Sequence, residues 1–240
     1  MIEFGLDLES YFADGIMFTE EIHDDADVFF HGTSGEFHDL ICSEGIVGLG
    51  NGLVTKKRVH SVVEFYSEIG WEGYAPHHPV RVLSSFTRLD FKERDVKQVY
   101  LSKEAHTSLK YSFKSVAGGE TVSAIRDCAG ELLQLANEPE DLAVLGVEAS
   151  LINSFLNDNE DIFDFAIGLT ENYPFGCVYA ISYRGLKHPE SKTGSYYVDS
   201  EVLPSQIIAY CKIPTGIEEK LVHASNPLVI SRYKSEFDSI

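Results

Sequence analysis

Long stretches with helical periodicity separate short β-prone segments along this chain, and this irregular order constrains its fold most. Residues 120–167 carry apolar side chains at helical spacing along most of their length. Short runs rich in β-branched and aromatic residues lie elsewhere, at 27–31, 96–102, 176–183, 195–202 and 206–213. Because strands and helices do not alternate regularly, we predict an α+β fold instead of a doubly wound parallel sheet.

Three further segments have the apolar spacing of helices, namely 35–44, 59–70 and 104–116. Ser34 or Thr33 can cap the first of them, and Gly118-Gly119 is expected to end the last. The acidic residues 1–25 are interpreted either as a helix or as a poorly ordered lead-in. Loops are predicted at the glycine-rich 45–52 and in the region around 75–79, and the polar 185–194 is predicted to be a hairpin or a loop.

The size of the chain is compatible with one folded unit. It has 240 residues, of which 44% are hydrophobic, enough to bury one sizeable core. We therefore expect a single domain over 1–240, in which 112–170 form a helical insertion between the β-prone segments. The polar tail from about residue 221 is expected to be peripheral to this domain.

Charge and cysteine content restrict the partners and the compartment. Acidic residues number 38 against 19 basic ones, giving a net charge of −19, which disfavours phosphate backbones and anionic lipid surfaces. The four cysteines contain no CxxC pair, so we expect buried free thiols in a reducing compartment. The chain shows no basic leader and no run of 18 apolar residues, which predicts a cytoplasmic protein without a membrane span.

Common nucleotide and hydrolase motifs are missing from the sequence. It contains no GxGxxG, no GxxxxGK[ST] and no GxSxG, so Rossmann, P-loop and serine hydrolase chemistry have no support. The pair His77-His78 has no third ligand at a suitable spacing, and no metal site is predicted. Candidate chemistry must therefore come from residues that are scattered along the chain.

Three segments combine reactive side chains with the ends of predicted strands. His31-Gly32-Thr33 closes the first β-prone run, which puts an imidazole and a bare backbone at the rim of a sheet. Tyr100 is expected to end a strand, and Ser108 and Tyr111 share one face of the helix after it because they are three residues apart. Glu201 lies between a strand and a proline turn late in the chain.

Together these segments resemble the His-Tyr-Glu branch of the ADP-ribosyltransferase superfamily, which includes diphtheria-type toxins and poly(ADP-ribose) polymerases. The resemblance rests on His31-Gly32-Thr33, on Tyr100 followed by a serine and a tyrosine eight and eleven residues later, and on Glu201 before a Pro-x-x-Ile run. It covers these motifs and their order, but not residues 112–170. It implies split antiparallel sheets with flanking helices and a cleft for NAD⁺.

The resemblance also implies a role for each residue. His31 would donate a hydrogen bond to a ribose of NAD⁺, while the backbone of Gly32 and the hydroxyl of Ser108 would hold the nicotinamide carboxamide. Tyr100 and Tyr111 would enclose the positively charged nicotinamide ring between aromatic faces. Glu201 would accept a hydrogen bond from the ribose 2′-OH and stabilise the oxocarbenium-like cation that forms as nicotinamide leaves.

Two neighbouring features have both a functional and an ordinary structural interpretation. The glycine-rich segment 45–52, with Lys56, Lys57 and Arg58 close by, can supply donors to a pyrophosphate or can be a plain loop. Asp199 lies two residues before Glu201, so the two would face the same side of a strand. It can help to orient an acceptor, as acidic groups do in arginine-modifying relatives, or it can be solvated.

These expectations favour a mono-ADP-ribosyltransferase that uses NAD⁺ as co-substrate and a protein as acceptor. By analogy with stand-alone catalytic domains of this family, we expect a bacterial or phage toxin or effector, whose partners include an antitoxin or immunity protein. Three alternatives stay open: a nucleic acid acceptor, water as acceptor in an NAD⁺ glycohydrolase, and an inactive module that binds ADP-ribose or a partner.

Overall fold

The computed structural model describes residues 1–48, 53–71, 78–87, 98–192 and 195–217, and within them the fold is mixed α+β. This confirms the predicted class. The described chain forms two compact units. The first comprises Met1–Gly48, Gln98–Ala117 and the described residues from Asn172 onward, and the second comprises the described parts of Leu49–Lys97 and Gly118–Glu171. The expectation of a single domain with an insertion over 112–170 stays a prediction.

The first unit contains two antiparallel-rich sheets. Four strands form the larger sheet in the order β1-β7-β4-β2, with β1 spanning Ile2–Gly5, β2 Val28–Ser34, β4 Gly176–Ser182 and β7 Ile207–Ile213. Three strands form the smaller sheet in the order β3-β6-β5, with β3 spanning Val99–Leu101, β5 Glu190–Lys192 and β6 Ser195–Val198. Only β1 and β7 pair in parallel, and the other neighbours are antiparallel.

Four α-helices and four short 3₁₀ helices accompany these sheets in the described residues of the first unit. The α-helices are α1 (Leu8–Asp14), α2 (Glu20–His23), α3 (His38–Glu44) and α6 (Ala105–Leu109). The 3₁₀ helices span Gly35–Phe37, Lys110–Ser112, Lys114–Val116 and Pro204–Gln206. Ser34 caps the first 3₁₀ helix because its hydroxyl accepts a hydrogen bond from the amide of Glu36 at 3.2 Å.

Strands β2 and β4 of the larger sheet are buried on both faces, and the alternation of side chains along β2 decides which residue faces which core. Val28 and Phe30 pack with α6 residues Ala105 and Leu109 on one face. Phe29 packs on the other face, where the core includes Tyr179 and residues of β3 and α3. Because both faces of β2 are covered, consecutive residues of this strand are apolar, and not only alternate ones.

The second unit is helical in its described residues. Its helices are α4 (Lys56–Glu68), α5 (Pro79–Thr87), α7 (Glu120–Ala136), α8 (Pro139–Leu145), α9 (Ala149–Asp158) and α10 (Glu160–Glu171). Buried apolar residues recur at helical spacing, as in Val59, Val62 and Tyr66 of α4. The helical predictions for 59–70 and 120–167 are therefore confirmed. No helix in the described ranges is both long and apolar enough to cross a lipid bilayer.

Several sequence predictions for the first unit were wrong in detail. Residues 1–25 contain the strand β1 as well as two helices, because the backbone groups of β1 find hydrogen-bond partners in β7. The helix predicted over 104–116 is α6 followed by two 3₁₀ helices, because Phe113 adopts an extended backbone and is buried in the core. The segments 195–202 and 206–213 do not complete one sheet, since β6 and β7 belong to different sheets.

The remaining segment predictions have mixed outcomes. Residues 185–194 include β5, which pairs with β6 as the expected hairpin. Cys128, Cys177 and Cys211 are buried free thiols as predicted, but Cys42 is only half-buried. Residues 49–52, 75–77 and the tail from 221 lie outside the described residues.

Candidate functional site

The first motif lies on β2, an edge strand of the larger sheet. His31, Gly32 and Thr33 pair with Tyr179, Val178 and Cys177 of β4. Alternation along the strand directs the His31 side chain to the face shared with Phe29, and Gly32 to the face covered by α6. The strand continues to Ser34, so His31 lies within β2 and not at its end.

A short antiparallel contact joins β2 to β3 and stops just before Gly32. The amide of Phe30 donates to the carbonyl of Ser102 at 2.8 Å, and the amide of Ser102 donates back at 2.9 Å. In a continued antiparallel ladder, the next hydrogen-bonded pair would be Gly32 with Tyr100. Among the described residues no such pair forms, because the Nδ1 of His31 lies 2.8 Å from the Tyr100 carbonyl oxygen and takes that acceptor.

Gly32 is buried, and its backbone groups face the edge of β2 beyond the point where the contact with β3 stops. Backbone groups two residues apart in a strand point the same way, so the N–H and C=O of Gly32 point away from β4, as those of Phe30 do. One donor and one acceptor therefore lie side by side next to the His31 ring. Such a pair is complementary to a primary carboxamide, which also carries one acceptor and one donor group.

The hydrogen bond to Tyr100 fixes the position of one hydrogen on the His31 ring. A carbonyl oxygen can only accept, so Nδ1 of His31 carries a hydrogen. Desolvation lowers the pKa of His31 below its ordinary value of 6.5, and the hydrogen bond to Tyr100 opposes this shift in part. In the neutral ring Nε2 is an acceptor, whereas donation to a ribose, the role that the resemblance implies, uses the protonated ring; that role stays a prediction.

Gly32 and Ser108 are brought together by the packing of α6 on β2. A Cβ atom at position 32 would lie 1.8 Å from the carbonyl oxygen of Ser108 and 3.3 Å from the amide nitrogen of Ser112. Ser108 itself is buried. Glycine is therefore required here by the close approach of α6, a reason that the sequence interpretation did not include.

The two tyrosines differ in their surroundings. Tyr100 is the middle residue of β3 and not its end, and it is 46% exposed on the outer face of the smaller sheet. Tyr111 is half-buried in the 3₁₀ helix Lys110–Ser112, and the ammonium group of Lys110 lies 4.5 Å from its ring centroid. Ser108 and Tyr111 therefore do not share one regular helix, because α6 ends at Leu109.

Glu201 is exposed in an irregular segment whose neighbours are fixed. Strand β6 ends at Val198, so Asp199 and Glu201 do not lie in a strand, contrary to the prediction. Val202 is fully buried and exchanges two backbone hydrogen bonds with Ile46, at 2.9 and 2.8 Å. The amide of Leu203 donates to the side-chain oxygen of Gln206 at 2.8 Å.

The directions of the strands place the segment after β2 and the segment after β6, which carries Glu201, at the same end of the sheets. Strand β2 is antiparallel to β3 at the Phe30–Ser102 pair, and β3 is antiparallel to β6. Strands β2 and β6 therefore run in the same direction, and their C-terminal ends lie at the same end. Glu201 follows Val198 by three residues, which limits the separation of their Cα atoms to about 10 Å.

Two of the candidate pyrophosphate donors, Arg58 and Gly45, have structural contacts of their own. Arg58 forms an ion pair with Asp161 at 2.8 Å within the second unit, as Lys56, Lys57 and Arg58 begin α4. Gly45 has a φ of +96°, and a Cβ there would lie 2.1 Å from the carbonyl oxygen of Val202. The absence of a side chain at Gly45 therefore lets the backbone there pack closely against the segment that carries Glu201.

One residue near the site, Gln98, was not predicted from the sequence. Gln98 is buried, and its Nε2 donates to Oδ1 of Asp199 at 2.6 Å, while its Oε1 accepts from the Tyr100 hydroxyl at 3.3 Å. Its only sequence signal is an amide at the start of a β-prone run. Asp199, interpreted as a solvated or acceptor-orienting group, is thus a hydrogen-bond acceptor for Gln98.

Comparison with known proteins identifies no relative of this chain. No protein-family model, no curated protein and no solved structure matches the chain.

Proposed function

We propose that this chain is a mono-ADP-ribosyltransferase that cleaves NAD⁺ and transfers its ADP-ribose to a protein. The observation that carries the proposal is the interrupted ladder between β2 and β3. His31 takes the carbonyl of Tyr100 at 2.8 Å, and the N–H and C=O of the buried Gly32 face the edge of β2 beyond the contact with β3. A nicotinamide carboxamide has the complementary donor and acceptor, so this edge suits the leaving group of NAD⁺.

The other residues of the site fit the same substrate. The neutral Nε2 of His31 is available to accept from a ribose hydroxyl. The exposed ring of Tyr100 is suited to a positively charged nicotinamide, since an aromatic face attracts a cation. Glu201, held between fixed neighbours at the same end of the sheets, supplies a carboxylate for the charge that develops on the ribose.

The proposed reaction is a substitution at the ribose carbon that bears nicotinamide. The bond from this carbon to the ring nitrogen breaks, and nicotinamide leaves with the electron pair as a neutral molecule. A nucleophile of the acceptor forms the new bond and loses a proton. Glu201 stabilises the cationic ribose between these events, as a carboxylate does in glycoside cleavage.

The charge of the chain favours a protein acceptor over a nucleic acid. A net charge of −19 repels a phosphate backbone at long range, whereas it attracts a basic protein surface. An acceptor site for nucleic acid would therefore need strong local cations. The same charge also predicts that transfer to a basic protein weakens as the salt concentration rises.

The test follows both products of the reaction. The purified chain is incubated with NAD⁺ labelled on its adenylate phosphate and with a cell lysate, and nicotinamide release is measured alongside the label in macromolecules. The variant Glu201→Gln is expected to lower both by about 100-fold or more, because an electrostatic contribution is removed from the transition state. Glu9→Gln, another exposed glutamate of the first unit, is the charge-matched control and is expected to behave like the wild type.

Each outcome distinguishes the proposal from an alternative. Label that protease removes and nuclease does not supports transfer to protein, whereas the reverse pattern identifies a nucleic acid acceptor. Nicotinamide release without labelled macromolecules identifies a glycohydrolase. A wild-type chain without NAD⁺ turnover overturns the proposal and leaves a binding module. A Glu201→Gln variant with full turnover overturns the assigned role of Glu201.

A further inference from the structure

We propose that Gln98 and Asp199 form a tether that fixes the backbone carrying Glu201 against strand β3, which makes them positioning residues of the site. The proposal rests on the proposed function for its catalytic consequence. Its structural part is independent of that function, because it concerns the order of the segment 199–202. Neither residue needs to touch a substrate.

The Gln98 amide is held at both of its ends. A carboxylate only accepts hydrogen bonds, so the Nε2 of Gln98 must face Asp199, at 2.6 Å. Its oxygen then faces the hydroxyl of Tyr100, at 3.3 Å. Gln98 is only 6% exposed, whereas Asp199 and Tyr100 are exposed, so the amide connects two surface residues from within the core. A single buried side chain thus links Tyr100 to the segment that follows β6.

The tether acts on a segment that has no strand pairing of its own. The last pair between β3 and β6 is Val99 with Val198, and Asp199 is the next residue. The segment is fixed again at Val202 by its two backbone hydrogen bonds to Ile46. Only Ser200 and Glu201 lie between the two fixed points, and both are exposed. Releasing Asp199 would free the N-terminal side of this short span.

An alternative role for Asp199 makes a different prediction. If the carboxylate acts through its charge, for example by orienting a cationic acceptor, any neutral replacement should impair the reaction. If it acts as a hydrogen-bond acceptor for Gln98, asparagine should replace it, because the side-chain oxygen of asparagine also accepts. Alanine should fail in both cases, so the comparison of Asn with Ala separates the two roles.

The experiment combines steady-state NAD⁺ turnover with amide hydrogen exchange on the full chain. The variants Gln98→Ala and Asp199→Ala are expected to lower kcat by about 10- to 100-fold, with the KM for NAD⁺ within about twofold of the wild type, since a misplaced group impairs the chemical step. Asp199→Asn is expected to retain wild-type kcat within about twofold. The exposed neighbour Ser200→Ala serves as the unaffected control.

Two further readouts test the tether without relying on activity alone. The double variant Gln98→Ala/Asp199→Ala should be no slower than either single variant, because one interaction is lost only once. Amide exchange at 199–202 should accelerate in Gln98→Ala and Asp199→Ala, while exchange in β2 and β4 stays unchanged, which shows that the fold is intact.

The possible results separate this proposal from the proposed function. An Asp199→Asn variant as slow as Asp199→Ala overturns the tether in favour of a charge effect. Unchanged exchange at 199–202 in Gln98→Ala overturns it as well. If the wild-type chain does not turn over NAD⁺, the proposed function fails, and the exchange measurement by itself then decides whether the tether exists.

Discussion

The Nδ1 of His31 lies 2.8 Å from the carbonyl oxygen of Tyr100, which is the acceptor that the amide of Gly32 would use in a continued ladder. One side chain thereby replaces a backbone hydrogen bond at the edge of β2. The replacement puts a hydrogen on Nδ1 of the imidazole, and one backbone donor and one acceptor of the buried Gly32 face the edge of β2. A local departure from regular pairing therefore creates the candidate binding edge.

The lowered pKa of His31 predicts that the protein loses stability when it is acidified. The unfolded chain binds a proton near the ordinary pKa of 6.5, whereas the folded chain binds it only at lower pH. The contribution of His31 is therefore fully present above about pH 6.5 and is lost as the pH falls toward the folded pKa. Urea midpoints measured from about pH 7.5 to about pH 5.5 should decrease in the wild type.

The variant His31→Gln isolates this contribution from those of other groups. Burial also lowers the pKa of His23 and of His38, so part of the pH dependence should remain. The slope of stability against pH should nevertheless be smaller in His31→Gln than in the wild type. Equal slopes would show that His31 binds its proton at the same pH in the folded and unfolded chains.

The close approach of α6 to β2 predicts a large effect of Gly32→Ala. The new methyl group would lie 1.8 Å from the Ser108 carbonyl oxygen, so α6 must shift or the strand must bend. We expect the free energy of unfolding to fall by about 1–3 kcal/mol or more. Gly5→Ala on β1 is the control, since nothing lies within 4 Å of its added Cβ. Chemical denaturation of both variants checks the prediction, and equal midpoints would contradict it.

Gly45 is predicted to matter for activity through the segment that carries Glu201. Its φ of +96° disfavours any side chain, and a methyl group would lie 2.1 Å from the Val202 carbonyl oxygen. We expect Gly45→Ala to reduce both stability, by about 1–3 kcal/mol, and NAD⁺ turnover. Gly15→Ala shares a positive φ of +70° but meets no atom within 4 Å, so it should cost about 1 kcal/mol without loss of turnover. Normal turnover in Gly45→Ala would refute this link.

Glu131 is predicted to stabilise the second unit as a shared acceptor. Its carboxylate lies 2.9 Å from the Tyr66 hydroxyl and 2.8 Å from Nε1 of Trp71, and His78 also contacts it at 2.8 Å. Glu131→Ala removes the carboxylate acceptor from Trp71 and His78, while Tyr66 keeps the Cys128 carbonyl oxygen at 3.0 Å, and we expect a cost of about 1–3 kcal/mol. Glu131→Gln keeps one oxygen acceptor and should cost less.

The fluorescence of Trp71 reports this effect directly, because it is the single tryptophan of the chain. Urea unfolding followed at this signal should shift to a lower midpoint in Glu131→Ala. An unchanged midpoint would show that water replaces the carboxylate without cost. Turnover of NAD⁺ serves as the readout for the first unit.

Much of the local structure could be predicted because it follows from side-chain pattern. The apolar spacing of 59–70 and 120–167 predicted helices correctly, and the β-prone runs 27–31 and 176–183 predicted the strands β2 and β4. The candidate site was harder to predict in its details. Gln98 carries no distinguishing pattern, and its hydrogen-bond partner is a carboxylate 101 residues later in the chain.

The sequence by itself determined the helices within 59–70 and 120–167 and the strands at 27–31 and 176–183, because amphipathic spacing is a local property of the chain. Tertiary structure alone decided that β1 pairs in parallel with β7, from nearly opposite ends of the described chain, and that β6 and β7 join different sheets. Strands pair through backbone groups that all residue types share, so local pattern does not specify the partner. For the same reason, the sequence pattern could not predict the contact between His31 and Tyr100, which lie 69 residues apart.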